Sequence, residues 1–213
     1  MRLTQVVILD GARTAIGSFG GSLSSFSPAQ LGSFASRAAI KRSKVSALDI
    51  DHAVFGHVIT TCANDAYLAR HVSLSVGMSD ASTAFNVNRL CGSSVQSVIC
   101  AAQLIMLGDS SIALAGGAES MSQGAYLLPK ARKGLRIGDA TMIDLTLGIL
   151  SDPFGSGHMG MTAENITTKY DYTRKDLDNF AVLSQQKASL AIAKGRFASQ
   201  IIGVDVKRGR KKV

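Results

Sequence analysis

Cysteine and charge are both scarce in this sequence. Its three cysteines, Cys62, Cys91 and Cys100, are an odd number at wide spacing in 213 residues. That pattern fits neither a disulfide framework nor a zinc site, which needs clustered ligands, and a reducing compartment follows. Charged residues make up 18% against 46% hydrophobic, too apolar a balance for a disordered chain. Long purely apolar runs are missing too, because the longest uncharged stretches carry too much Gly, Ser and Thr to span a bilayer. Internal repeats of solenoid length and low-complexity tracts are absent. Gly17, Gly20 and Gly21 match neither a phosphate loop nor the dinucleotide fingerprint, which leaves nucleotide binding of those kinds unsupported. The first strand-like run begins at Gln5, with no room after Met1 for a secretion signal or transit peptide, so a cytoplasmic location is expected.

What is present is enough chain for one large domain or two small ones, with a substantial core. The net charge is +8, but five of those charges belong to Lys207, Arg208, Arg210, Lys211 and Lys212. The +3 left on residues 1–206 suits an anionic small molecule at least as well as a nucleic acid, and the basic tail reads as a solvated charge run. No nucleic-acid or membrane partner is expected.

Apolar β-branched runs alternate with longer helical patterns, which predicts a mostly parallel sheet covered by helices. The predicted strands are Val6–Asp10, His52–Val58, Ala84–Val87 and Ser111–Ala115. Ser27-Pro28-Ala29-Gln30 opens a first helix with a capping box and Pro at its first position. Asn64 is expected to cap a second helix running to about Val76. A third should span Cys91 to Met106, closed by Gly108, with Val95, Val98, Ala102 and Ile105 as its apolar stripe. Thr173-Arg174-Lys175-Asp176 opens a fourth that ends at Lys194-Gly195. Between about Gly117 and Gly160 the sequence is rich in Gly and Met without a clean period, the mark of a functional excursion from the α/β core.

The chemistry centres on Cys91. A strand feeds a sharp turn, and Cys91-Gly92-Ser93-Ser94 opens a helix, which places the thiol in the first helical turn. Unpaired amides and the positive end of the helix dipole favour thiolate there, and Gly92 lets a substrate approach closely. The Cys91 amide would face a developing oxyanion. The plainer reading of such a cysteine is a small buried hydrophobe. A Cys91–His158 dyad is a further alternative, since His158 lies in a loop flanked by Gly157 and Gly160. His52, His57 and His71 read as hydrogen-bonded structural histidines, Cys100 as packed and inert, and Cys62 as an accidental loop thiol. Met121, Met142, Met159 and Met161 read as core filler or as the lining of an acyl tunnel. No metal site emerges.

The run Val87-Asn88-Arg89-Leu90-Cys91-Gly92-Ser93-Ser94 resembles the nucleophile motif of the thiolases. Arg13-Thr14-Ala15-Ile16-Gly17, Gly116-Gly117-Ala118-Glu119-Ser120-Met121-Ser122 and His158-Met159-Gly160-Met161-Thr162-Ala163-Glu164-Asn165 resemble further family blocks in the expected order. The likeness is to the acetyl-CoA acetyltransferase and bacterial 3-ketothiolase branch, because Lys133 to Leu150 resembles its tetramer-assembly loop. It implies an N-terminal αβα domain with a mostly parallel sheet, carrying the nucleophile over residues 1–117. A loop domain over 118–206 for CoA binding and oligomerisation would follow, then the basic tail 207–213. Activity would be thiolysis of a 3-ketoacyl-CoA, or condensation of two acetyl-CoA, through an acyl-thioester on Cys91. Leu150, His158 and Met159 would line the pantetheine and acyl channel. Coenzyme A enters as substrate, with no permanently bound cofactor and no metal, and the resemblance implies a homo-oligomer, a tetramer for the full-length family.

The family's Asn-Glu-Ala-Phe block, its Gly-His-Pro block with the activating His, and its late Cys-x-Gly are not found in this sequence. The C-terminal half of the fold is expected to be absent, which would leave the isolated chain inactive and uncover the α-helical stripe from Val95 to Ile105. The alternative of a different class is a non-catalytic, thiolase-like protein that binds CoA or a partner.

Overall fold

The computed structural model describes residues 5–208 and 211–212. It divides into two compact units, one joining the chain up to Ala125 to the segment from Gln200 onward, the other Tyr126–Ser199.

The first unit is built on β1 (His52–Gly56), which pairs in parallel with β2 (Thr83–Val87) on one side and β3 (Ala113–Gly117) on the other. Successive side chains of a strand face opposite ways. Ala53 and Phe55 point into a core with Leu114 and with Leu68, Ala69 and Val72 of α2 (Leu68–Ser75). Ala29 and Ile40 of α1 (Pro28–Ser43) pack on the same cluster. The opposite face carries α3 (Ser93–Leu107), which contacts all three strands. Covered on both faces, β1 is apolar nearly throughout, as a central parallel strand must be. Burying Phe55, Leu68 and Val72 contributes about 1.5–3 kcal/mol each.

Local signals explain most helix ends. Ser27 and Gln30 close the predicted capping box of α1. Gly108, at φ 84°, ends α3 in a conformation that costs glycine little. The second helix starts differently: a 3-10 turn (Ala63–Tyr67) precedes α2, and Asp65 rather than Asn64 holds it, accepting from the Thr61 and Cys62 amides.

One expectation is corrected and another is met. Val6–Asp10 is not a strand: no neighbouring strand pairs with it among the described residues, and Val7, Ile8 and Leu9 lie exposed. Extended chain becomes a strand only where a partner takes its backbone groups. The α3 stripe is uncovered at Val95 and Val98, as expected, and half-buried at Ala102 and Ile105. Val95 is 66% exposed and Val98 is 42% exposed, whereas Ser93, Ser97 and Ala101 are buried against the sheet. Small residues take that side because the helix meets glycines. A Cβ at Gly56 would stand 2.6 Å from Ser93 C and Ser94 N, and one at Gly117 would stand 2.0 Å from Ser94 Oγ. The Ser97 hydroxyl donates to the Gly116 carbonyl at 2.7 Å. The span Leu90–Leu107 is long and apolar enough by composition to cross a membrane; here its serine face lies on a sheet.

The second unit contains two-residue hairpin strands and three helices. β4 (Tyr126–Leu127) pairs antiparallel with β5 (Ile143–Asp144), and Asp144 then caps α4 (Leu145–Ile149). β6 (Ser151–Asp152) pairs with β7 (Gly157–His158), leading into α5 (Met159–Lys169) and α6 (Arg174–Ala193). Thr173 and Asp176 form the capping box of α6. None of the described residues of this unit is buried.

Candidate active site

All three parallel strands end at one edge, where such sheets place ligands. Beyond β2 the chain turns sharply: Leu90 adopts φ 48°, in the left-handed region that strains a branched side chain. Gly92 and Ser93 amides donate to the Arg89 and Leu90 carbonyls. The Ser93 hydroxyl accepts from the Arg89 amide at 2.8 Å and donates to the Leu90 carbonyl at 2.6 Å. Arg89 also reaches forward to Gln96 Oε1 at 2.9 Å. Cys91 sits at the crest of this loop, exposed.

This corrects the placement of Cys91 inside the first helical turn. The helix begins at Ser93 with Gly92 as N-cap, so Cys91 precedes it. Ser93 spends its hydroxyl on the strained turn, and the nucleophile candidate rides on an elbow between strand and helix. That elbow rests on Gly56 and Gly117, the last residues of β1 and β3.

Past the strand ends lies a buried polar cluster that sequence reasoning missed. His57 Nδ1 is 3.0 Å from the Ala118 carbonyl and 3.1 Å from Glu119 Oε1, and Nε2 is 3.6 Å from Asp65 Oδ2. Glu119 accepts from the Val58 and Ile59 amides, and the Asn86 side chain ties β2 to the backbone of Asp65, Ala66 and Ala69. The available signals were Gly56, which ends the strand just before His57, and Glu119 within an already conspicuous block.

In the second unit the structure gathers Leu150, His158 and Met159. The Met159 amide donates to the Leu150 carbonyl at 2.8 Å, His158 pairs with Ser151 across the hairpin, and His158 Nδ1 caps α5 by accepting from Gly160. His158 and Met159 are exposed and Leu150 half-buried. Cys91 belongs to the first unit and these three to the second. His52 accepts or donates to the Thr83 hydroxyl at 2.6 Å, His71 is exposed, Cys62 Sγ faces Asp65 Oδ1 at 3.6 Å, and Cys100 accepts from Gln96. No group of three or more His, Cys, Asp or Glu suited to a metal ion occurs among the described residues.

A family model described as thiolase, N-terminal domain, matches residues 6–213. The chain belongs to the thiolase family. It is 49% identical over 207 residues to the beta-ketothiolase BktB of Cupriavidus necator, covering 97% of this thiolase chain and 52% of the relative. An acetyl-CoA acetyltransferase of Thiocystis violacea is 42% identical over 203 residues, with 94% and 51% covered. Among solved structures, the Bacillus anthracis acetyl-CoA acetyltransferase superposes with TM-score 0.93 at 36% identity, covering 99% of this chain and 53% of that one. Human mitochondrial 3-ketoacyl-CoA thiolase in complex with CoA gives 0.89 at 35% identity, covering 97% and 54%. The thiolase chain therefore spans about half the length of the relatives it matches. Its parallel sheet with helices on both faces is the N-terminal half of the thiolase fold.

Proposed function

We propose that this chain supplies the nucleophile of an acyl transfer between CoA thioesters. Cys91 is that nucleophile, and the observation that carries the reading is its exposure on a strained elbow at the carboxyl edge of the sheet, within a thiolase chain. The sulfur, as thiolate, attacks the 3-keto carbon of a 3-ketoacyl-CoA. Collapse of the adduct breaks the C2–C3 bond and releases the acetyl-CoA enolate, which takes a proton, while the acyl group stays on Cys91 as a thioester. The thiol of a second CoA then attacks that thioester and restores Cys91. The Cys91 amide is the proposed donor to the developing oxyanion.

Leu150, His158 and Met159 are proposed to line the channel for the pantetheine arm, and a mildly basic body favours CoA's phosphates. A relative solved with CoA supports the same substrate class. The chain contains no Gly-His-Pro or Cys-x-Gly block, so the base and acid that complete turnover are not supplied by the residues present.

Incubation with acetyl-CoA followed by peptide mapping tests this. Acetylation at Cys91 well ahead of Cys62 and Cys100 is the expected result, with little turnover of acetoacetyl-CoA. Equal, slow labelling of all three cysteines would favour a binding protein instead.

A further inference from the structure

The acyl-transfer reading leaves the buried cluster at the carboxyl edge without a task. His57 is 8% exposed and lies one residue past β1. Both atoms near its Nδ1, the Ala118 carbonyl and Glu119 Oε1, are acceptors, so that nitrogen carries a proton. Its Nε2 is buried with no hydrogen-bond partner among the described residues, and Asp65 Oδ2 stands 3.6 Å away. A lone pair on Nε2 would face a carboxylate oxygen in a buried place; a second proton turns the same contact into attraction. Glu119 and Asp65 are the charged groups that face the ring within 4.0 Å among the described residues.

We propose that His57 is a positioning residue: a doubly protonated imidazole that ties Glu119, in the loop after β3, to Asp65, in the loop after β1, and thereby fixes the floor beneath the elbow that presents Cys91. Each carboxylate is fastened in turn to backbone. Glu119 accepts from the Val58 amide at 3.1 Å and Ile59 at 2.9 Å, and Asp65 from the Thr61 amide at 2.6 Å and its hydroxyl at 2.7 Å. The His57 amide donates to the Val87 carbonyl at 3.1 Å, which ties the exit of β1 to the end of β2. Gly56, beside His57, and Gly117, beside Ala118, are the two residues on which Ser93 and Ser94 rest. A shift of either loop therefore reaches the elbow within two residues of Cys91.

Burial works against a charged ring, but the Glu119 hydrogen bond, the Ala118 carbonyl and the charges of Glu119 and Asp65 outweigh it, and His57 titrates above its ordinary 6.5. A group whose folded value is raised stabilises fully below its unfolded value and loses that contribution as pH rises through the folded one. The clamp is thus complete on the acid side of neutrality and loosens above the raised value.

The inference rests on the reading of Cys91 as nucleophile only for its consequence, and the test separates the two. Histidine-labelled NMR on the full chain, with His57 assigned by its loss in His57→Gln, follows the titration. His57 should titrate above 6.5, and Glu119→Gln should lower it. Iodoacetamide labelling of Cys91 is then measured against pH in the parent and in Glu119→Gln, which keeps the side chain's size and serves even where His57→Gln does not fold. The ratio of the two rates cancels the titration of the thiol itself. It should change about fivefold across the interval in which His57 titrates, the worth of one ordinary hydrogen bond. A ratio flat with pH, or a His57 value at or below 6.5, overturns the proposal. A sound titration and step, with no acetylation of Cys91 by acetyl-CoA at any pH, upholds the clamp and strikes the acyl-transfer reading.

Discussion

Alanine at Gly56 and alanine at Gly117 should behave differently, because the two glycines face different parts of the same helical turn. At Gly117 the added Cβ would meet Ser94 Oγ at 2.0 Å and Ser94 Cβ at 3.0 Å, both atoms of an exposed side chain, with the Gly56 carbonyl oxygen a milder contact at 3.2 Å. At Gly56 it would meet backbone, Ser93 C and Ser94 N at 2.6 Å. Ordinary contact begins near 3.4 Å, so Gly56→Ala requires the start of α3 to retreat by about 0.8 Å, and Cys91 moves with it. Overpacking of this kind costs about 1–3 kcal/mol, and a backbone clash belongs at the upper end. Gly117→Ala should cost about 1–2 kcal/mol alone and under about 1 kcal/mol once Ser94→Gly has removed the opposing side chain, the Gly56 carbonyl oxygen at 3.2 Å accounting for what is left. Ser94→Gly should leave the cost of Gly56→Ala nearly unchanged. Urea denaturation followed by circular dichroism measures all arms of this cycle, with Ser94→Gly as its own reference. The argument fails if Gly56→Ala lies within about 0.5 kcal/mol of the parent, or if Ser94→Gly rescues both alanines equally.

Asp65→Asn tests the acid side of the same edge. Burial raises the Asp65 pKa, but hydrogen bonds from the Thr61 hydroxyl, the Thr61 amide and the Cys62 amide, with the charge of His57, bring it below the ordinary 3.8. Its contribution is present above the unfolded value and lost as pH falls through the folded one, so the parent should lose stability into that range while Asp65→Asn shows a flatter acid limb; parallel limbs would count against it. Thr173→Ala should cost about 1 kcal/mol locally, read as faster amide exchange in the first turn of α6, with the first unit's unfolding unchanged. Val95→Lys should alter stability by less than about 0.5 kcal/mol, because the side chain is exposed, and light scattering should show reduced self-association. A loss of 2 kcal/mol or more would restore Val95 to the core.

What the sequence disclosed was short-range. Ser27, Gln30, Gly108, Thr173 and Asp176 mark helix ends through bonds that span only a few residues, and all five act as read. The β-branched runs around Val54, Asn86 and Leu114 located the three paired strands, to within two residues at each end. What the sequence did not disclose depends on distant partners. Val6–Asp10 has the composition of a strand, yet strand formation needs a neighbour that no local pattern names. The stripe of α3 is uncovered as read, but the serine face that packs on the sheet in its place is decided by Gly56 and Gly117, 37 and 23 residues away from Ser93–Ser94 at the nearest. His57 is hydrogen-bonded as read, but Glu119, which faces its ring, lies 62 residues later and no local pattern names it.

The same distant contacts explain why the nucleophile candidate is where it is. A strained Leu90 cannot hold φ 48° by itself; the surroundings must over-determine it. Ser93 does so from one side, bonding the Arg89 amide and the Leu90 carbonyl with a single hydroxyl. The glycine floor does so from the other, by allowing the backbone of Ser93 and Ser94 to approach the sheet more closely than any Cβ permits. Neither feature touches the sulfur. Exposure of Cys91 is therefore a product of small residues packed beneath it: larger side chains at Gly56 or Gly117 would lift α3 and relax the elbow, and an apolar residue at Ser93 would leave the Arg89 amide without its bond. The exposure of Cys91 is set from the sheet upward, and it should be lost first through changes that do not touch the sulfur.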